Sequence, residues 1–300
     1  MEQPLILVTN DDGISSRGLW AAAKAVLPLG EVLVVAPDRQ WSGGSRAMPG
    51  DATGRYQPAS REIEGRRVTA YAVDASPALA VDHGVVEFAP RRPALVVSGI
   101  NFGANLGTEV TISGTVGAAL EASAFGIPAM AVSLEMDAAH HQTGDASADY
   151  AASVACIRRF ADYLLTCALP SDVDVLNVNI PAAATPLTPW RLTRLSRRRY
   201  FVPTPPDRSK GDGRTGYKLI EDPRHTEPDS DIRAMMVDGI ISVTPLSLDL
   251  TSRIELDNGH QPLFTSSLSE LFVLTACPGG GNGRVRQLAE ELDEETCLTG

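Results

Sequence analysis

Leu5-Ile6-Leu7-Val8-Thr9 runs straight into Asn10-Asp11-Asp12-Gly13. A short segment with no polar face can be a strand only if both of its sides are buried, as in a parallel sheet covered by helices. The pattern recurs along the chain. Glu31–Ala36 is a second apolar run, closed by Pro37-Asp38, and Ala94–Val97 is another, followed by the Gly- and Asn-rich stretch Ser98–Gly107. Val68–Val73, Ala129–Leu134 and Val173–Ile180 are further strand candidates. Helical patterns lie between them: Ala-rich Leu19–Leu27 ending at Pro28, Pro77–Phe88, Gly114–Phe125 and Ala148–Leu165. This alternation predicts an α/β fold, a Rossmann-like, mostly parallel sheet with helices on both faces. Ligands bind such sheets outside the carboxyl ends of the strands. The loops that begin at Asn10, Pro37 and Ser98 would therefore open on one edge.

The last third differs. Residues from about Pro181 to Pro228 are rich in Pro, Arg and Asp and show little periodicity. We expect residues 1–180 to form the Rossmann-like core and 181–300 a smaller C-terminal lobe and oligomerisation arm of the same unit. Ile240–Leu246 is expected to return to the core as a strand.

A chain of 300 residues with 43 % hydrophobic content can bury one large core, and 21 % charge is too little for compositional disorder. The net charge of −11 repels polyanions, so a nucleic-acid polymer is not the expected partner. A small anion remains compatible if a bound cation reverses the field locally. Cys156, Cys167, Cys277 and Cys297 form no C-x-x-C pair, so we read them as reduced thiols of a cytoplasmic protein. Neither a signal peptide nor a membrane span is expected.

Three clusters can carry chemistry. Adjacent carboxylates, Asp11 and Asp12, at a strand end repel each other unless a cation offsets them, and hard cations prefer carboxylate oxygens. A turn of solvated aspartates also fits that tetrapeptide taken alone. Ala36-Pro37-Asp38-Arg39-Gln40-Trp41-Ser42-Gly43-Gly44-Ser45 offers the Ser42 hydroxyl and glycines that let backbone N–H groups approach an anion. A flexible loop is the plainer reading of it. Ser98–Gly107 carries Asn101 and Asn105 among three glycines, and Ser113-Gly114-Thr115 then opens a helix whose N–H groups suit a phosphate. Helix capping alone would account for Ser113 or Thr115, but not for the asparagines. His140-His141 has no third ligand nearby in sequence, and Arg197-Arg198-Arg199 reads as a solvated or ion-paired run. Gly279-Gly280-Gly281 lacks the Lys-Ser/Thr of a P-loop, and no Gly-x-Ser-x-Gly elbow is present.

Taken in order, these clusters resemble the SurE family, the survival-protein-E nucleotidases. The resemblance rests on Thr9–Gly13, on Ala36–Arg39 with Ser42-Gly43, and on Ser98-Gly99-Ile100-Asn101-x-Gly103-x-Asn105. Ser113–Ala119, Ala124–Ser133, Asp229-Ser230-Asp231 and Asp238–Leu246 extend it from about residue 5 to about 255. It implies a divalent-metal-dependent 5′/3′-nucleotidase, a phosphoric monoester hydrolase acting on nucleoside monophosphates. It implies one Mg²⁺ or Mn²⁺ per subunit on Asp11, Asp12, Ser42 and Asn101, and phosphate contacts from Asn105, Ser113, Gly114 and Thr115. Homodimers or homotetramers with an exchanged C-terminal segment also follow from it. Where the family often has Thr-Pro-Ala-Asp-Cys, this chain has Ser76-Pro77-Ala78-Leu79-Ala80, and residues 256–300 match no recognised pattern. The expected mechanism is metal-assisted attack of water, with Asp12 as the catalytic candidate that orients or deprotonates it. Release of terminal phosphate from short polyphosphate and nucleotide binding without turnover are the rival functions.

Overall fold

Nine strands form one sheet because most of them carry apolar side chains on both faces. The computed structural model describes residues 3–136, 148–210, 213 and 215–253. The chain divides into two compact units, Met1–Leu250 and Thr251–Gly300, and the description below concerns the first. His140-His141, Gly279-Gly280-Gly281, Cys277 and Cys297 lie outside the described residues.

The elements follow in chain order. They are β1 Leu5–Thr9, α1 Arg17–Val26, β2 Glu31–Pro37, β3 Tyr56–Ile63, β4 Arg66–Val73 and α2 Pro77–His83. Next come β5 Leu95–Phe102, α3 Gly114–Ala124, β6 Ala129–Leu134, α4 Ala151–Thr166 and β7 Val175–Ile180. The remainder are β8 Trp190–Leu192, β9 Phe201–Thr204, β10 Gly216–Leu219, α5 Asp231–Met236 and β11 Ile241–Leu246. The large sheet has the order β3-β4-β2-β1-β5-β6-β7-β11-β8, and β9 pairs with β10 separately. From β4 to β7 every pairing is parallel. β3 on β4 and β11 on β7 are antiparallel. The fold is α/β, as the alternation predicts.

Strand periodicity divides the core into two layers. Ile6, Val8, Val34 and Ala36 point to one face and pack with α1 and α4 through Leu19, Ala22, Val26, Ile157 and Phe160. Leu5, Leu7, Leu33 and Val35 point to the other and meet α2 and α3 through Ala80, Val81, Val116, Ala119 and Ala122. The chain starts in the middle of the sheet at β1, builds outward through β2 to β4, and then crosses back to β5 on the other side of β1. That reversal makes the gap between the ends of β1 and β5 the topological switch point, where such sheets bind ligands.

Some elements depart from the sequence reading. β5 continues through Ser98–Phe102, with a register shift between Gly99 and Asn101. The glycines and Asn101 look like strand breakers, but flanking β6 supplies ladder partners as far as Phe102. The expected helix Pro77–Phe88 stops at His83 and closes with a π-helical turn, Gly84–Phe88. Ser76 caps α2, accepting from the Leu79 N–H at 3.2 Å and donating to the Ala47 carbonyl at 2.6 Å. β3 carries Pro58 and lies at the sheet edge, where a strand tolerates proline. The Pro-rich stretch after residue 181 contributes β8, β9 and β10, too short to leave a periodic signal. No helix among the described residues is long and apolar enough to cross a membrane.

Candidate active site

The loop after β1 is stitched before any ligand enters. Asn10 is fully buried, and its side chain donates to the Gly13 carbonyl and accepts from the Gly13 N–H, both at 3.2 Å. Gly13 has φ +89°, and a Cβ there would lie 3.1 Å from the Arg39 carbonyl, so the turn requires glycine. Ile14 N–H donates to Pro37 O at 2.8 Å and Trp41 N–H to Asp11 O at 2.7 Å. The β1 and β2 loops are therefore tied together, and the Ser42 loop is anchored beside the aspartates.

Asp11 is 4 % exposed. The Thr115 hydroxyl donates to its Oδ1 at 2.6 Å. Asp12 accepts from the Phe102 N–H at 3.2 Å and from Gln40 Nε2 at 3.3 Å. Burial pushes the Asp11 carboxyl up to about 6 against the Thr115 hydrogen bond. Burial and then the charge of Asp11 push Asp12 up to about 8. Among the described residues neither carboxylate faces an ion-pair partner.

Helix α3 points its N-terminus at this pair. Ser113 is its cap, accepting from the Val116 N–H at 3.1 Å. A Cβ on Gly114 would lie 2.8 Å from Asp11 Cβ and 2.9 Å from its Oδ2, so only glycine lets the helix approach. Asn101 donates through Nδ2 to Gly103 O at 2.8 Å, which leaves its amide oxygen as the atom it can offer. Asn105 is clamped from several sides. Its N–H donates to Asn179 Oδ1 and its Nδ2 to Ser133 Oγ, each at 2.8 Å. Its carbonyl accepts from Asn177 and Asn179, each at 3.0 Å. Ser133 on β6 and Asn177 and Asn179 on β7 thus hold Asn105 at this edge.

Asp11, Ser42, Asn101, Asn105 and Ser113 line a single cleft of about 370 Å³. Asp12, Gly114 and Thr115 stand behind Asp11 or beside it rather than in that lining. Thr115 is fully buried with its hydroxyl on Asp11. The opposite wall holds residues the sequence reading did not single out for the site: Glu109, Phe201, Pro203 and Tyr217. Arg199, noted only within an arginine run, also lines the cleft and lies 3.9 Å from Glu109. The one signal for this wall was Phe201-x-Pro203 and Tyr217-x-Leu219, an alternation too brief to read as strands.

Among the described residues no group of three or more His, Cys, Asp or Glu side chains gathers around a point. A cation here would need neutral oxygens beside the two carboxylates. The Ser42 hydroxyl and the Asn101 amide oxygen provide that type, and an all-oxygen set suits Mg²⁺ or Mn²⁺. Adjacent carboxylates, one buried and one half-buried, that face no cationic side chain among the described residues fit the same group.

A family model described as "Survival protein SurE" matches residues 6–202. A protein of Thermococcus gammatolerans named 5′-nucleotidase SurE is 43 % identical, covering 88 % of this chain and 97 % of that protein. One of Methanocella arvoryzae with the same name is 42 % identical over 82 % of this chain and 93 % of its own. The crystal structure of the SurE protein from Aquifex aeolicus superposes with a TM-score of 0.63 at 32 % identity, over 83 % of this chain and 95 % of that one.

Proposed function

Because this chain belongs to the SurE family, we propose that it is a nucleotidase, and that it hydrolyses nucleoside 5′- or 3′-monophosphates with the help of one Mg²⁺ or Mn²⁺ per subunit. The observation that carries the reading is the Asp11–Asp12 pair at the switch point, Asp11 buried and Asp12 half-buried, with Asp11 lining one cleft together with the neutral oxygen donors Ser42 and Asn101. Asp11, Asp12, Ser42 and Asn101 would hold the ion. When bound, it would supply charge neutralisation for the phosphoryl oxygens and acidify a water.

The chain's own residues do the rest. Thr115 locks the Asp11 rotamer through its 2.6 Å hydrogen bond. The Phe102 N–H and Gln40 hold Asp12, our candidate to orient or deprotonate the attacking water. Asn105 and Ser113 sit where they can hold phosphoryl oxygens as charge redistributes, beside the N-terminus of α3. Ser133, Asn177 and Asn179 fix Asn105 so that it reaches the phosphate without reorganising. On this reading the protein acts as a homo-oligomer in the cytoplasm.

A phosphate-release screen over nucleoside monophosphates, with and without metal, tests it. Chelation should abolish turnover and added Mg²⁺ or Mn²⁺ restore it. Full activity after exhaustive metal removal overturns the metal requirement, and no release from any nucleotide overturns the nucleotidase reading.

A further inference from the structure

A cleft of about 370 Å³ is far larger than a phosphate group needs and falls in the size range of sites for whole small molecules, roughly 300–1,000 Å³. Its two walls differ in chemistry. Polar groups such as Asp11, Ser42 and Asn105 come from the sheet edge with Phe102 and Ile112 among them, and Phe201, Pro203 and Tyr217 form the second. The second wall is one face of the β9–β10 ribbon. Tyr217 pairs with Pro203 across the strands and Leu219 with Phe201, so period-two alternation puts all four side chains on the same face. Val202 and Lys218 pair on the opposite face and line a separate depression with Arg198 and His225. Phe201 and Tyr217 meet in a T-shaped contact with centroids 5.0 Å apart, and Tyr200 meets Phe201 in the same way at 4.7 Å.

A two-stranded ribbon is marginally stable by itself, so something must hold its aromatic face against the cleft. The root is tied down. Tyr200 is 3 % exposed and packs with Leu106, Ile232 and Met235. Its N–H donates to the buried Glu109 at 2.8 Å, and Ile220 N–H donates to Tyr200 O at 2.9 Å. Asp231 braces the same corner, accepting from the Gly107 N–H at 2.7 Å and the Ser196 N–H at 2.9 Å. Tyr217, further out, keeps 48 % of its surface exposed.

We propose that this aromatic wall, with Tyr217 and Phe201 as its rings, is a stacking surface for a nucleobase, and that it makes the enzyme select nucleoside monophosphates over base-free phosphoesters and polyphosphate. The proposal rests on the phosphatase reading of the polar wall and adds the specificity. Every base has a π-face, so such a wall favours nucleotides as a class without choosing among bases. Polyphosphate has no apolar surface to offer it and gains nothing there.

The test is steady-state kinetics of the full chain on AMP, ribose 5-phosphate and tripolyphosphate, for wild type, Tyr217→Ala, Tyr217→Leu and Tyr217→Phe. Ribose 5-phosphate keeps the ester and the sugar and lacks the base. We expect wild-type KM for AMP to lie about 5- to 150-fold below that for ribose 5-phosphate, the range a base–aromatic stack supplies. Tyr217→Ala and Tyr217→Leu should raise KM for AMP toward the ribose 5-phosphate value and leave the base-free substrates unchanged. Tyr217→Phe keeps the ring and should keep the preference, which separates stacking from loss of fold. Release from ribose 5-phosphate with no preference for AMP leaves the phosphatase standing and overturns the stacking wall. Equal KM changes on all substrates in Tyr217→Ala do the same. No release from any substrate removes both.

Discussion

The Asp11–Asp12 pair couples chemistry to stability at the scale of single residues. An acid whose folded pKa is raised holds in the native state a proton that the unfolded chain has already lost. Between the ordinary 3.8 and the raised values near 6 and 8, the native state therefore binds more protons. Stability then falls as pH rises through that window. The metal-free protein should melt at progressively lower temperature from about pH 4 to about pH 8. Asp11→Asn and Asp12→Asn should each flatten that slope and melt above wild type at pH 8 in EDTA, by roughly 0.5–2 kcal/mol. Two like charges about 4 Å apart repel by on the order of 1–4 kcal/mol, and Asn removes one of them while still able to accept the Thr115 proton. Each variant should lose nearly all activity, and Mg²⁺ should raise the melting point of wild type but of neither variant. If metal shifts all three melting curves alike, the aspartates are turn-formers and not ligands. Asp11, Asp12, Asn101 and Asn105 were legible because each ends an apolar run or follows one closely. The partner of Asp11 was not, since Thr115 lies 104 residues on and no local pattern joins them.

Helix α3 shows how an element can be shaped for the site at the expense of ordinary packing rules. Its residues are small, and Gly114, Gly117, Ala118 and Ala122 are all buried. Gly117 lets the helix meet the Ser42 loop, since a Cβ there would lie 2.3 Å from Ser45 O. Arg46 Nε donates to the buried Glu121 of the same helix at 2.6 Å, pinning the other end of that loop. Alanine at position 114 would improve intrinsic helix propensity by up to about 1 kcal/mol. It would also place a methyl group 2.8 Å from Asp11 Cβ, so either the helix or the aspartate must shift. Gly114→Ala should therefore leave the far-ultraviolet circular dichroism intact while cutting kcat/KM by about 10²-fold or more, as misplacement by 1 Å does. Wild-type kinetics in that variant would show that the close approach has no function. The helix itself was plain from its sequence, as were β1, β2 and β6. β8, β9 and β10 were hidden, because strands of three or four residues carry too few alternations, and β8 in addition pairs with β11, much further along the chain.

At the scale of the molecule, the two edges of the large sheet are built differently. Strand order was beyond local reading, since β1 ends up central only because β5 crosses back past it. At one edge β3 displays Pro58, Arg61 and Glu62, residues that discourage another strand from adding on. At the other edge β8 has only three residues, and among the described residues no strand lies beyond it. Exposed apolar side chains lie there, Leu187 at 91 %, Leu192 at 62 % and Trp190 at 41 %, beside Arg191, which is paired with Asp238 at 2.8 Å. A net charge of −11 keeps copies apart at long range, so association would need such an uncharged patch. A second copy of this chain is the occupant we expect, because a symmetric dimer lets one patch cover its own counterpart. Light scattering at micromolar concentration should give a dimer or a larger closed assembly. Leu187→Glu combined with Leu192→Glu should lower the mass toward that of one chain, because two carboxylates from each copy would meet across the same contact. These residues lie at the sheet edge and not in the cleft lining, so phosphate release by the variant should persist if each subunit carries a complete site. A wild-type monomer at that concentration would contradict the oligomer. An unchanged mass in the double variant would move the contact to another surface.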